Sequence, residues 1–129
     1  FGEGANGLSW SPDGVWIAYV VILTDKSVPL YDNYHRIFRA RADGTGDIQQ
    51  LFAPPDESVV GGNTYSLTGQ YIYFGRSSIW RASNPDAVFH YKNHIFQIPA
   101  NGGEAIDLSA ITDPDGDASD SGFCMIPST

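Results

Sequence analysis

Four carboxylates, Asp113, Asp115, Asp117 and Asp120, are the residues of this chain whose spacing best fits a metal ion. Alternating acidic side chains in a loop with Pro114 and Gly116 could wrap a hard cation such as calcium with oxygen ligands. The EF-hand pattern wants glycine where Ala118 stands and glutamate where Cys124 stands, so that motif fails. Calcium is therefore the one cofactor the sequence raises, against the plainer reading of a solvated acidic turn. His90 and His94 have the four-residue spacing that shares a metal on a helix. On a strand the same spacing leaves them roughly 13 Å apart, so they share a metal only if the loop folds back; ordinary polar loop positions are the plainer reading. Tyr31, Asp32, Trp80, Arg81, Phe89, His90 and Tyr91 form a further set. Aromatic and arginine side chains in long segments are what ligand- and partner-binding surfaces use; stapling a loop down is their other reading.

Familiar catalytic patterns are missing. The chain has no G-x-S-x-G elbow, no H-E-x-x-H and no phosphate-binding P-loop, and its three histidines show no triad spacing. Gly2 to Gly7 matches G-x-G-x-x-G in letters, but a dinucleotide site needs a strand before it and a helix after it. It reads instead as a flexible entry segment, and the protein as one that is not an enzyme. The 15 acidic and 7 basic residues give a net charge of −8, which repels nucleic acid and anionic membrane surfaces. Cys124 is the only cysteine, so an intrachain disulfide is excluded. No apolar run approaches the roughly 20 residues of a membrane-spanning helix.

The elements that must position these residues are strands. Leu8 to Ser11 reads as one, Pro12-Asp13-Gly14 as a tight turn, and Val15 to Val21 as an apolar, β-branched and aromatic run that fits a buried strand. Tyr34 to Arg41 alternates, Asp43-Gly44 turns, and Ile48 to Phe52 closes the unit before Pro54-Pro55. The order then recurs. Asn63 to Ser66 stands for Leu8 to Ser11, Leu67-Thr68-Gly69 for Pro12-Asp13-Gly14, and Gln70 to Phe74 for Val15 to Tyr19. His94 to Ile98 stands for Arg36 to Ala40, and Asn101-Gly102 for Asp43-Gly44. From Gly14 to Gly69 is 55 residues and from Gly44 to Gly102 is 58, so the extra three fall between the second and third strands. A four-stranded unit repeated at about this length is the pattern of a β-propeller blade. The expectation is an all-β chain of two four-stranded antiparallel blades.

Ser11-Pro12-Asp13-Gly14 before Val15 to Tyr19, and Ile95 to Gly103 before Ile106 to Ser109, resemble TolB-type propeller repeats over residues 8–52 and 63–109. The second turn departs from the pattern, with Leu67-Thr68-Gly69 in place of Pro-Asp-Gly. The resemblance implies a propeller scaffold in an extracellular or periplasmic setting, and no particular activity.

Domain organisation follows the repeat: 1–62 is the first blade and its connection, 63–121 the second blade and the acidic loop. Residues 122–129 are a surplus strand of a third, incomplete blade. Two blades cannot close a ring of four to eight. The alternatives are a fragment of a larger propeller, copies assembling into a ring or filament, or a self-contained two-sheet protein. In the assembly reading, Phe123, Cys124, Met125, Ile126 and Pro127 would add as a strand to a neighbour. The expected function is structural or scaffolding, by self-association or by binding another protein. A ligand module, with carbohydrate stacked on Tyr and Trp rings, is one alternative; a piece of the propeller of a larger enzyme such as a peptidase is another.

Overall fold

The structure, a computed structural model, describes residues 2–24, 33–54, 59–80 and 90–112. These form two four-stranded antiparallel sheets, each meandering in chain order. The first contains β1 (Gly2–Trp10), β2 (Trp16–Thr24), β3 (Asn33–Arg41) and β4 (Gln49–Phe52). The second contains β5 (Val59–Tyr65), β6 (Tyr71–Trp80), β7 (His90–Pro99) and β8 (Ile106–Asp107). One helical turn, α1 (Ser109–Thr112), follows. Among the described residues no helix is long and apolar enough to cross a membrane.

The repeat is reproduced hydrogen bond by hydrogen bond. At the first turn Gly14 N–H donates to Ser11 O at 2.9 Å and Trp16 N–H to Ser11 Oγ at 2.8 Å. At the second, Gly69 N–H donates to Ser66 O at 2.9 Å and Tyr71 N–H to Ser66 Oγ at 3.1 Å. Gly14 and Gly69 both hold φ near +75°, which explains why glycine survives where Pro-Asp is lost. Strand pairing repeats as well: Trp10 opposes Ile17 as Tyr65 opposes Ile72, and Tyr19 opposes Phe38 as Phe74 opposes Phe96.

Two expectations change. The glycine-rich start is not an entry segment, because Gly2 to Asn6 pair with Val20 to Thr24 as part of β1. A bulge at Gly7, φ +64°, lets the strand continue into Ser9 and Trp10, and the same bulge recurs at Gly62, φ +63°. Val59 to Gly62, expected in a connecting loop, likewise belong to a strand. Gly2, Gly4, Gly61 and Gly62, with no side chain to pack, carried no strand signal in the sequence. They pair here because the facing apolar strand supplies the ladder.

One core lies between the sheets. Ala18, Val20, Ile37 and Leu51 of the first sheet meet Val60, Tyr65, Ile72, Phe74 and Ile98 of the second. Phe74 is fully buried, with Phe52 across the junction at 4.8 Å between ring centroids and Phe96 beside it at 5.6 Å. Such ring pairs each contribute about 0.5–1.5 kcal/mol beyond their buried area. Polar links cross the same junction. Ser9 Oγ accepts from Tyr65 N–H at 3.0 Å, and His35 Nδ1 donates to Val60 O at 3.1 Å. Gln49 Nε2 donates to Asn101 O at 2.7 Å, and Asn63 Nδ2 donates to Gly7 O.

Candidate functional site

The meander puts the turns after β1, β3, β5 and β7 at one end of the sheets and the longer connections at the other. Most of the residues singled out from sequence are not among those the structure describes. Tyr31, Asp32, Arg81, Phe89, the carboxylates Asp113, Asp115, Asp117 and Asp120, and the segment Phe123, Cys124, Met125, Ile126, Pro127 lie outside the described residues. Trp80, His90 and Tyr91 lie at the ends of β6 and β7, whose backbones pair Trp80 with His90 and Ile79 with Tyr91. Among the described residues no group of three or more His, Cys, Asp and Glu is gathered to hold a metal.

His94 is engaged with a carboxylate. Its Nδ1 lies 2.8 Å from Asp107 Oδ2, joining β7 to β8, while its Nε2 is buried with no hydrogen-bond partner. No nucleophilic side chain hydrogen-bonds to that nitrogen among the described residues, so the pair orients an imidazole without completing a catalytic set.

At the tight-turn end a cleft of about 610 Å³ opens between the sheets. The first sheet contributes Ser11, Asp13, Trp16 and Arg39; the second contributes Tyr65, Thr68, Gln70 and Asn101. Arg39 is fixed at two points: its guanidinium carbon stands 4.0 Å from the Trp16 ring centre, and Nε donates to Gln49 Oε1 at 2.7 Å. Gln49 in turn reaches Asn101, so the arginine is braced from both sheets. Asp13 accepts from Ser11 Oγ at 2.5 Å and from Val15 N–H at 3.0 Å, and these bonds hold its carboxyl below the usual range. The Tyr65 hydroxyl is buried without a hydrogen bond; burial raises its pKa, with the charge of Arg39 working the other way. A rigid guanidinium, a fixed carboxylate, a phenol and two amides can hydrogen-bond a polar ligand. The Ser11 hydroxyl is engaged within its own turn, donating to Asp13 and accepting from Trp16 N–H. Sequence reading missed the cleft because its walls come from turns 55 residues apart. The one available signal was the recurrence of the turns themselves.

The second feature is a pair of open sheet faces. Let the front of a sheet be the face bearing Trp10, Ile17, Tyr19 and Phe38 in the first, and Tyr65, Ile72, Phe74 and Phe96 in the second. The back then bears Ser9, Ala18, Val20 and Ile37 in the first, and Thr64, Tyr73, Gly75 and Ile95 in the second. The junction is front of the second on back of the first. The front of the first sheet and the back of the second have no cover among the described residues. Trp10 is 61% exposed there, against 5% for Tyr65 at the equivalent covered position.

Comparison with models of known protein families finds no match, and comparison with curated proteins finds none either.

Proposed function

We propose that this chain is a non-catalytic structural module of the TolB-like propeller type, acting by stacking its sheets face to face on further sheets. The observation that carries the reading is the unequal covering of equivalent surfaces. The same register of aromatic and aliphatic residues is buried on the second sheet and left open on the first. Two four-stranded meanders packed in the same sense are consistent with neighbouring blades, and an open front on one with an open back on the other invites continuation. Copies of the chain, or another protein presenting a similar sheet, would supply the cover. Face stacking fits better than pairing along the outer edges, because β4 and β8 have only four and two residues. The extracellular or periplasmic setting rests on the resemblance to TolB-type repeats alone.

Sedimentation velocity over a concentration series tests the association. Mass rising with concentration is the expected result; a monomer at every accessible concentration, with no partner captured, contradicts it.

The cleft favours a second reading, a ligand module. Its volume falls within the range of small-molecule sites, and the unpartnered Tyr65 hydroxyl lies against it. Ligand-observed NMR with a panel of monosaccharides and an Arg39→Ala control tests this reading. Binding abolished by the substitution supports it, and an unresponsive panel removes carbohydrate from consideration.

A further inference from the structure

We infer that the open front of the first sheet is a docking surface for the back of the second sheet of another copy, in the register that already joins the two sheets within the chain. This deepens the stacking reading above and rests on it.

The register follows from equivalences on both sides of the existing junction. Within the chain, Ser9 on the back of the first sheet accepts the backbone N–H of Tyr65 from the inner edge of the second. The residue equivalent to Ser9 is Thr64, which opposes Tyr73 as Ser9 opposes Ala18. The residue equivalent to Tyr65 is Trp10, and both occupy edge strands in the same pairing with β2 and β6. The Trp10 N–H therefore points away from its own sheet, as the Tyr65 N–H does. Thr64 of one copy keeps the hydroxyl that would accept the Trp10 N–H of the next.

The apolar surfaces match in the same way. On the front, Ile72, Phe74 and Phe96 are represented by Ile17, Tyr19 and Phe38. On the back, Ala18, Val20 and Ile37 are represented by Tyr73, Gly75 and Ile95. A larger residue at the first back position is offset by a smaller one at the second, so the face is reshaped rather than overfilled. One polar link is exchanged for an apolar one. Gln49, which bridges to the Asn101 turn, is represented by Ile106, 53% exposed, which would face the Asp43 turn of the next copy.

A front-to-back contact is heterologous: each copy uses one surface and leaves the other open. Complementary blocked variants exploit this. Tyr19→Glu blocks the front and leaves the back; Tyr73→Glu blocks the back and leaves the front. Each alone is expected to be monomeric by light scattering, and an equimolar mixture is expected to give a dimer of one copy of each. Circular dichroism establishes that each variant keeps the wild-type strand signal. Should Tyr19→Glu lose its fold, Trp10→Glu takes its place.

If the wild type assembles and the mixture of two folded variants stays monomeric, the register is wrong although stacking stands. Assembly of either variant alone overturns the register equally. A wild type that never assembles removes both proposals. Thr64→Val refines the result, because it keeps the shape and deletes the acceptor. It is expected to weaken association about fivefold to tenfold, and unchanged affinity would place Trp10 N–H elsewhere.

Discussion

The fronts of the two sheets carry the same pattern of residues in the same pairing, yet one is the heart of the core and the other is open. Phe74, Ile72 and Tyr65 are buried because the back of the first sheet lies over them. Their equivalents Tyr19, Ile17 and Trp10 are half-buried or exposed because nothing among the described residues covers them. Identical local structure thus gives different energetics. Strand register is set by turns and bulges within a sheet, whereas burial is set by what stands opposite it.

Substitutions at equivalent positions break this comparison most sharply. Phe74→Ala removes a fully buried ring from between Phe52 and Phe96 and is expected to cost about 3–5 kcal/mol in urea unfolding. Tyr19→Ala, on the open front and stacked on Phe38 at 6.1 Å, is expected to cost only about 1 kcal/mol in the monomer. Equal losses would mean that the first front is also covered.

The turns give the next contrast. Gly14 and Gly69 share a left-handed φ, so alanine is strained by about 1–2 kcal/mol at either. A Cβ at Gly14 meets open space, but one at Gly69 would stand 3.2 Å from Pro12 Cδ, where the two turns touch. Thermal melts should show Gly69→Ala losing more than Gly14→Ala. The reverse order would separate the two turns.

A smaller effect, about 1 kcal/mol, is expected for Ser9→Ala, which strips Tyr65 N–H of its acceptor. Thr64→Ala in the monomer should cost less, since its counterpart contact needs a second copy. Denaturation at low protein concentration measures both.

The smallest difference is in acid. Asp13 and Asp43 are both held below the ordinary carboxylate value of 3.8, Asp43 to about 2, by hydrogen bonds within their turns. For Asp43 the leading contribution comes from the Thr45 hydroxyl. The unfolded chain takes up these protons first as pH falls. Their stabilisation is thus complete well above pH 3.8 and is lost as pH falls through the lowered values, for Asp43 toward about 2. The second sheet has Thr68 and Asn101 at the corresponding places. Asp13→Asn and Asp43→Asn should flatten the acid limb of the unfolding profile, and Thr68→Ala should leave its slope unchanged.

The repeat was legible because turn chemistry is local: Asp13-Gly14, Thr68-Gly69, Asp43-Gly44 and Asn101-Gly102 announce themselves along the chain. Alternation then assigned β2, β3, β6 and β7. The glycine-rich β1 was illegible, since Gly2 and Gly4 become strand only through pairing with Thr24 and Ile22. The cleft was illegible for a different reason. Arg39 and Tyr65 come together through the stacking angle of the sheets, and no spacing within either repeat encodes that. Sequence reasoning looked for function at the long connections. The described residues place the cleft at the opposite end and the open surfaces on the sheet faces.

Oxidative footprinting of Trp10 and Tyr65 at rising protein concentration, each scaled to the intrinsic reactivity of its own ring, tests the central claim most directly, because the two residues occupy equivalent positions that differ in cover. At low concentration Trp10 should react readily and Tyr65 hardly at all; as concentration rises, Trp10 should become protected while Tyr65 stays as it was. Trp10 reactivity that ignores concentration, or a Tyr65 as reactive as Trp10 from the start, would contradict the account.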